Sequence, residues 1–438
     1  MKRAKALGLW TSLALVVGNM VGAGSYLVPA TLGSYGPISL LGWIITGGGA
    51  MCLAVSFARM GRIMPAEGGP YAYTREAFGD LPAFMVAWGY WVSVWIGNAA
   101  IATAFVGYLT PFFPAVGASP VIMAATALGA IWTLTALNVW GLREAALFQL
   151  VTTVLKVLPL LAVGTLGLLA LDRANFTPLN VSGGSHTSAV SGAAVFMLWG
   201  LLGFESATVP ADDVEDPERT IPRVTIVGTL ATTLIYVLST VAVMGVMSAP
   251  ELAASQAPVA DAAARMWGPW AGTAVAAGAA IAAFGVLNGW VLMQGQMPLG
   301  PSRDGVFPSA FGRLSDRGTP TFGLVLSSGL CTILVATNYT RGLLGLFEFA
   351  LLLATVTVVV AYAFAAAAHI ALIRRRPGVW GGPDAGRAMV ISAVALVYSG
   401  FVIVWSGWGP IMWGCVLLAG GLPIYRWSVS RRSLTRGT

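Results

Sequence analysis

Gly18-Asn19-Met20-Val21-Gly22-Ala23-Gly24-Ser25 and Trp199-Gly200-Leu201-Leu202-Gly203-Phe204-Glu205 decide the reading of this chain. Each lies near the middle of a run otherwise apolar enough to cross a bilayer. Glycine costs about 1 kcal/mol relative to alanine inside a helix. Glycines clustered at matching depths in the first and sixth such runs therefore predict backbone that leaves helical geometry. Unwound backbone at membrane depth is tolerated only where protein buries it or where it lines a cavity. Its bare N–H and C=O groups, beside the dipoles of half-helices, suit the carboxylate and ammonium of an amino acid. Either cluster alone also fits a small-residue packing face between helices; the matched pair, with polar neighbours, favours the break.

The rest of the chain supports a membrane setting. Of 438 residues, 57% are hydrophobic and 9% charged, whereas soluble domains carry about 25% charged residues. This composition excludes a soluble enzyme, a disordered chain and a nucleic-acid binder. Twelve runs reach the length of about 20 residues that a crossing needs: 9–32, 37–61, 82–110, 119–141, 144–170, 188–211, 222–248, 270–297, 319–338, 343–369, 386–407 and 409–428. They are continuous rather than alternating, so helices are expected and not a β-barrel. With the N-terminus inside, 20 Lys and Arg fall on cytoplasmic segments and only Arg173, Arg265 and Arg341 on outer loops. That asymmetry places both termini in the cytoplasm. The first run then points outward and the sixth inward, as two inverted five-helix repeats require.

Several chemistries are excluded by count. Cys52, Cys331 and Cys415 lie in apolar runs without CxxC spacing, and His186 and His369 are the only histidines. No metal site, disulfide framework or cofactor is expected from them. Lys2, Lys5 and Lys156 are the only lysines, and none lies in a phosphate-binding loop of the Walker type. The start of the chain lacks the short apolar stretch and small-residue site of a cleaved signal. No nucleophile–base pair or metal set lies at one depth, so an intramembrane enzyme is not expected.

Setting aside charges in the terminal turns of the runs on the cytoplasmic side, three charged residues stand out within runs: Lys156, Glu205 and Glu348. Lys156 lies near mid-depth, where a lysine costs roughly 3 kcal/mol on insertion scales. It reads as a proton-coupling or cation-mimicking ammonium touching the unwound carbonyls of the first run, or as a permanent charge tying two helices together. Glu205, directly after the second break, reads as a gate carboxylate bonded to tyrosines such as Tyr90 and Tyr362, as a proton carrier, or as the cap of a second half-helix. Glu348 reads as interfacial. In Tyr90-Trp91-Val92-Ser93-Val94-Trp95-Ile96-Gly97-Asn98, the side chains of Trp91, Trp95 and Asn98 share one helical face. With Trp199 and Trp290 they would make an aromatic cage for a cation; for Trp91 in particular, plain packing is the default.

Taken together, these residues resemble the amino acid–polyamine–organocation transporters, and among them the bacterial arginine/agmatine antiporters and basic amino acid permeases. The resemblance rests on GNMVGAG (18–24), PAEGGPYAY (65–73), YWVSVWIGN (90–98), WGLLGFESATV (199–209), VEDPERTIPR (214–223), NGW (288–290) and RDGVFP (303–308). It implies one transmembrane domain over 1–438 with a LeuT-like 5+5 inverted repeat: repeat one over 9–170, repeat two over 188–369, peripheral helices over 386–428. It also implies a bacterial inner membrane location and a homodimer. By position, Met20, Ala23, Gly24, Trp199 and Leu202 would meet the substrate's carboxylate and amine, and Ser93, Val94, Asn98, Trp290 and Ala354 its side chain. Trp199 would be the proximal outer gate, Trp95 the distal one, and Trp290 the divider between pocket and cytoplasm. Tyr90, Glu205 and Tyr362 would form the inner gate, with Lys156 and Glu205 the candidates for proton coupling. Where the arginine antiporters carry serines, this chain has Ala23 and Ala354; Lys156, which they lack, matches proton-coupled permeases and several exchangers of the wider family, and so implies amino-acid transport by either symport or exchange. The expectation is a secondary active transporter of an amino acid or amine, cationic substrates such as arginine or agmatine favoured; the alternative is proton symport of neutral amino acids through Lys156.

Overall fold

The computed structural model describes residues 5–22, 24–341 and 344–436, with the side chains of 338–352 and 432–436 left aside. Among the described residues it is helical, with one isolated β-bridge between Leu7 and Val214. The helices are α1 (Leu9–Met20), α2 (Gly24–Gly33), α3 (Leu40–Ile63), α4 (Pro70–Phe78), α5 (Asp80–Leu109), α6 (Pro120–Trp140), α7 (Leu142–Leu166), α8 (His186–Leu201) and α9 (Pro217–Val246). They continue with α10 (Ala249–Ala254), α11 (Pro258–Trp267), α12 (Pro269–Gln296), α13 (Leu299–Arg303), α14 (Thr321–Arg341), α15 (Leu344–Arg375), α16 (Ala385–Trp405), α17 (Trp408–Gly420) and α18 (Leu422–Arg436).

Ten described helical segments are long and apolar enough to cross a membrane, and Thr321–Thr337 is a shorter apolar helix. Helix occupies each of the twelve predicted runs, and two of those runs are interrupted where the glycines cluster. Large side chains point outward on the spans, for example Val390, Val394 and Val397 on α16 at 62%, 45% and 73% exposure. Such a face suits lipid rather than water. The chain is therefore an all-helical, multi-pass membrane protein.

The first break falls where expected. Helix α1 stops at Met20, Val21 takes φ −80°, ψ 89°, and α2 begins at Gly24. The second differs from expectation. Helix α8 ends at Leu201, Leu202 is extended, and Gly203 takes φ +108°, a conformation costly for any residue with a Cβ. No second half-helix follows: residues 202–210 run as hydrogen-bonded turns and Ala211–Asp213 as a short 3₁₀ segment before α9. The turns satisfy themselves locally, since Ser206 N donates to Gly203 O (3.0 Å) and Thr208 N and Oγ1 both donate to Glu205 O (each 2.7 Å). Glu205 thus caps no half-helix.

The two breaks touch. A Cβ on Gly203 would lie 2.9 Å from Asn19 Cβ, and one on Gly24 would overlap the Trp199 ring. Only glycine lets the backbones approach this closely.

Candidate functional site

Breaking α1 leaves carbonyls that the helix no longer satisfies, and neighbouring helices supply the donors. Lys156 Nζ of α7 donates to Gly18 O at 2.6 Å and Tyr236 Oη of α9 to Met20 O at 2.8 Å; one turn earlier, Thr153 Oγ1 adds a bond to Ala14 O, within the helix, at 3.1 Å. Ser25 Oγ closes the turn onto Gly22 O at 2.6 Å. Lys156 is fully buried and reaches the unwound carbonyl proposed for it from sequence. No carboxylate pairs with it among the described residues; the Gly18 carbonyl is its partner.

Beside the breaks lies a cavity of about 150 Å³. Met20, Gly24, Ser93, Val94, Trp199, Leu202, Trp290 and Ala354 line it, eight of the ten residues expected to hold a substrate. Asn98 does not. It is buried behind the wall, where its Nδ2 donates to Gln294 Oε1 at 2.8 Å. A buried amide needs a hydrogen-bonding partner, and Gln294 supplies it. Ala23 lies outside the described residues, as does the side chain of Glu348. The cavity wall also includes Asn19, Gly22, Ser25, Gly97, Ile101, Val286 and Thr355. Its described lining contains no ionised side chain.

Beside this cavity lies a cluster of two hydroxyls and a carboxylate, next to its lining residue Trp290. Tyr90 Oη donates to Glu205 Oε1 and Tyr362 Oη to Glu205 Oε2, each at 2.6 Å, all three residues being fully buried. Gly203 N–H in turn donates to Tyr362 Oη at 3.4 Å. The second break is thereby tied to α5 and α15. Phe204 and Phe57 pack on Tyr362 at 4.7 and 5.8 Å between ring centroids. Trp290, which lines the cavity, also lies beside Tyr90 at 6.5 Å between ring centroids. Trp199 lies against Gly24 on the cavity wall.

The aromatic cage is smaller than the spacing suggested. Trp91 is packed away, donating from Nε1 to Ser327 Oγ at 2.9 Å and sitting edge-on to Phe311 at 5.3 Å. Trp95 is half-buried outside the cavity lining. A helical face is wider than a cavity wall, and the polar atoms of Trp91 and Asn98 find partners on α12 and α14 instead.

Beyond the tyrosine–glutamate cluster lies an ionic layer built from the PAEGGPYAY and RDGVFP stretches. Arg303 bridges Glu67 (2.5 Å) and Asp212 (2.9 Å); Asp304 accepts from Arg75 (2.7 Å) and Tyr71 (2.8 Å); Arg75 also reaches Asp80 (2.7 Å). A Cβ on Gly300 would lie 2.6 Å from Glu67 O, so α13 and the segment before α4 are in close contact.

Sequence reasoning missed the buried amides. Asn288 Nδ2 donates to Gln149 Oε1 (2.9 Å), Asn138 Nδ2 to Asn288 Oδ1 (3.1 Å), and Gln294 Nε2 to Ser328 Oγ (2.8 Å). Their signal was present: an amide inside an apolar run, as at Asn138, Asn288 and Gln294, faces the protein interior.

The chain is similar to named transporters. It is 34% identical over 338 residues, 76% of this chain and 75% of the relative, to the cadaverine/lysine antiporter of Escherichia coli strain K12. It is 31% identical over 435 residues to the putrescine transporter PotE of the same strain, and 29% identical over 429 residues to that of Haemophilus influenzae, covering 97% of each chain in both cases. These names make the arginine/agmatine group a loose fit. The amino acid permease family model matches residues 7–412, and on that span the chain belongs to the amino acid permease family of the amino acid–polyamine–organocation superfamily.

Proposed function

We propose that the chain is a secondary active transporter that carries an amino acid or an amine across a bacterial inner membrane by alternating access, in exchange for a related amine or amino acid. The observation that carries this reading is the cavity walled by residues of both broken segments; the adjacent Tyr90–Glu205–Tyr362 cluster is read as its inner gate. Twelve crossings in a LeuT-like inverted repeat, 9–170 and 188–369 with peripheral helices over 386–428, agree with the positions of the helices and breaks. Met20, Gly24, Trp199 and Leu202 hold the charged head of the substrate; Ser93, Val94, Trp290 and Ala354 wall its side chain. The relatives' names, cadaverine/lysine antiporter and putrescine transporter, favour a cationic substrate, for which Glu205 is the nearby carboxylate and Trp199 and Trp290 offer ring faces.

A second reading is proton-coupled uptake of neutral amino acids. The uncharged cavity lining favours it, because an unpaired ammonium in an apolar wall is costly, and Lys156 would carry the proton. Counterflow in proteoliposomes, with lysine, cadaverine, putrescine, arginine, agmatine, leucine and alanine as competitors, decides between them. Competition by the cations without acidification of the proteoliposome interior supports exchange. Competition by leucine and alanine alone, with proton movement, supports the second reading, and no counterflow with any competitor removes both.

A further inference from the structure

Helix α7 turns a polar stripe of Gln149, Thr152, Thr153 and Lys156 toward α1 and α12, all four residues buried. Gly285 and Gly289, one turn apart on α12, make room for it. A Cβ at 285 would lie 2.7 Å from Thr152 Oγ1; one at 289 would overlap Asn19 Oδ1 and lie 2.9 Å from Gln149 Nε2. One face of each amide is occupied: Gln149 Oε1 accepts from Asn288 Nδ2 (2.9 Å), and Asn19 Nδ2 donates to Ser206 Oγ (2.8 Å). The other faces, Gln149 Nε2 and Asn19 Oδ1, are buried without a hydrogen-bond partner. A donor and an acceptor thus flank one carbon-sized volume, each bearing the cost of desolvation without a bond.

We propose that Gln149 and Asn19 are positioning residues forming a state-dependent latch: Gln149 Nε2–H donates to Asn19 Oδ1 when the α1 break shifts against α7 and α12, and the latch is open in the conformation described here. The inference rests on the alternating-access reading. Asn19 is the residue on which Gly203 packs, at 2.9 Å from a Cβ there, and its amide holds Ser206. A shift that closes the latch therefore carries the second break along with the first, so that the two breaks move as one body relative to α7 and α12.

The test uses the labelling rate of a cysteine placed by Ala104→Cys on the cavity wall, in the full-length protein with Cys52, Cys331 and Cys415 changed to alanine. The readout needs no substrate, so failure of every transport assay would sink the transport reading while leaving the latch measurable. Asn19→Asp should slow labelling about threefold, because a carboxylate accepts more strongly from Gln149. In a Gln149→Glu background the same Asn19→Asp should speed labelling about threefold, because two acceptors then face each other. In the Gln149→Glu background the new glutamate competes for Lys156, which lessens any attraction of the carboxylate at position 19 for the ammonium without reversing its sign, so only the reversal reports the latch. An effect of the same sign in both, or none, overturns the proposal. Should the double variant not fold, Gly289→Ala is the second arm: its methyl holds the amides apart, and labelling that is unchanged or slower overturns the proposal equally.

Discussion

Lys156 shows how one side chain can serve both folding and transport. Its ammonium replaces the helical N–H that Gly18 O loses where α1 unwinds, so removing it leaves a buried carbonyl unsatisfied at about 1–3 kcal/mol. On the proposed function, Lys156→Ala should abolish net uptake while leaving exchange measurable, compared in the same proteoliposomes with and without internal substrate. Equal loss of both would assign Lys156 a structural role alone. Trp290 makes a contrasting case. It lines the cavity wall and lies beside Tyr90, so on the proposed function Trp290→Leu should cut transport at least tenfold with little change in thermal stability; full activity would remove it from the site. Lys156 was legible in the sequence as a lysine at mid-depth, whereas Trp290 stood out only as a cage candidate and through the family resemblance. Asn98 was legible as buried but not as facing Gln294 rather than the cavity. Its partner lies 196 positions away, and a pairing across helices leaves no mark in local spacing.

Among the elements, the interrupted segments were legible as interruptions and not as shapes. Glycines at 18, 22, 24, 200 and 203 announced broken helix at both sites. What followed each break depended on side-chain hydrogen bonds that compete with helix formation: Ser25 restarts α2 after Gly22, whereas Thr208 folds 205–208 into a turn and no second half-helix forms. Gly24 tests the closeness of the breaks. A methyl at this position would overlap the Trp199 ring, so Gly24→Ala should raise the concentration for half-maximal transport about tenfold while the protein still purifies as a folded species. Unaltered apparent affinity would mean that Trp199 and the first break do not hold substrate together. Away from the membrane-spanning helices, α10 and α11 are joined by a bidentate pair, Arg265 Nη1 and Nη2 to Glu251 Oε2 and Oε1 at 3.2 and 2.8 Å. Hydrogen bonds from Arg265, then from Ser248, hold the Glu251 carboxyl down at about 2, from its ordinary 4.5. A carboxylate with a depressed value stabilises the fold above its ordinary range and loses that contribution as pH falls toward the depressed one. The melting temperature should therefore decline between pH 5 and 2, and Glu251→Gln should remove part of that decline. An identical acid profile in the variant would show that the pair adds nothing to stability.

For the whole molecule, on the proposed function, two layers close the α4 side of the cavity, and they differ in strength. The Tyr90–Glu205–Tyr362 cluster is fully buried and its bonds are short. The ionic layer around Arg303 and Asp304 is partly exposed, with Arg303 at 42%, Asp212 at 52% and Arg75 at 30% side-chain exposure. Exposed pairs contribute about 0.2–1 kcal/mol each and are screened by salt. Three or four of them sum to a few kcal/mol at most, enough to shift a two-state population severalfold and too little to lock it. The layer therefore behaves as a bias toward closure of this side, while the tyrosine–glutamate cluster supplies the seal. Asp304→Asn weakens the contacts to Arg75 and Tyr71 together and leaves the buried cluster intact. It should raise labelling of a cysteine placed by Ser93→Cys on the cavity wall, in a cysteine-free background, about threefold from the α4 side at low ionic strength. In 1 M salt the parent should approach the variant, because screening does to the parent what the substitution does to the variant. A salt effect of equal size in both proteins would show that Asp304 takes no part in the bias, and that closure on this side rests on the buried carboxylate and its two tyrosines.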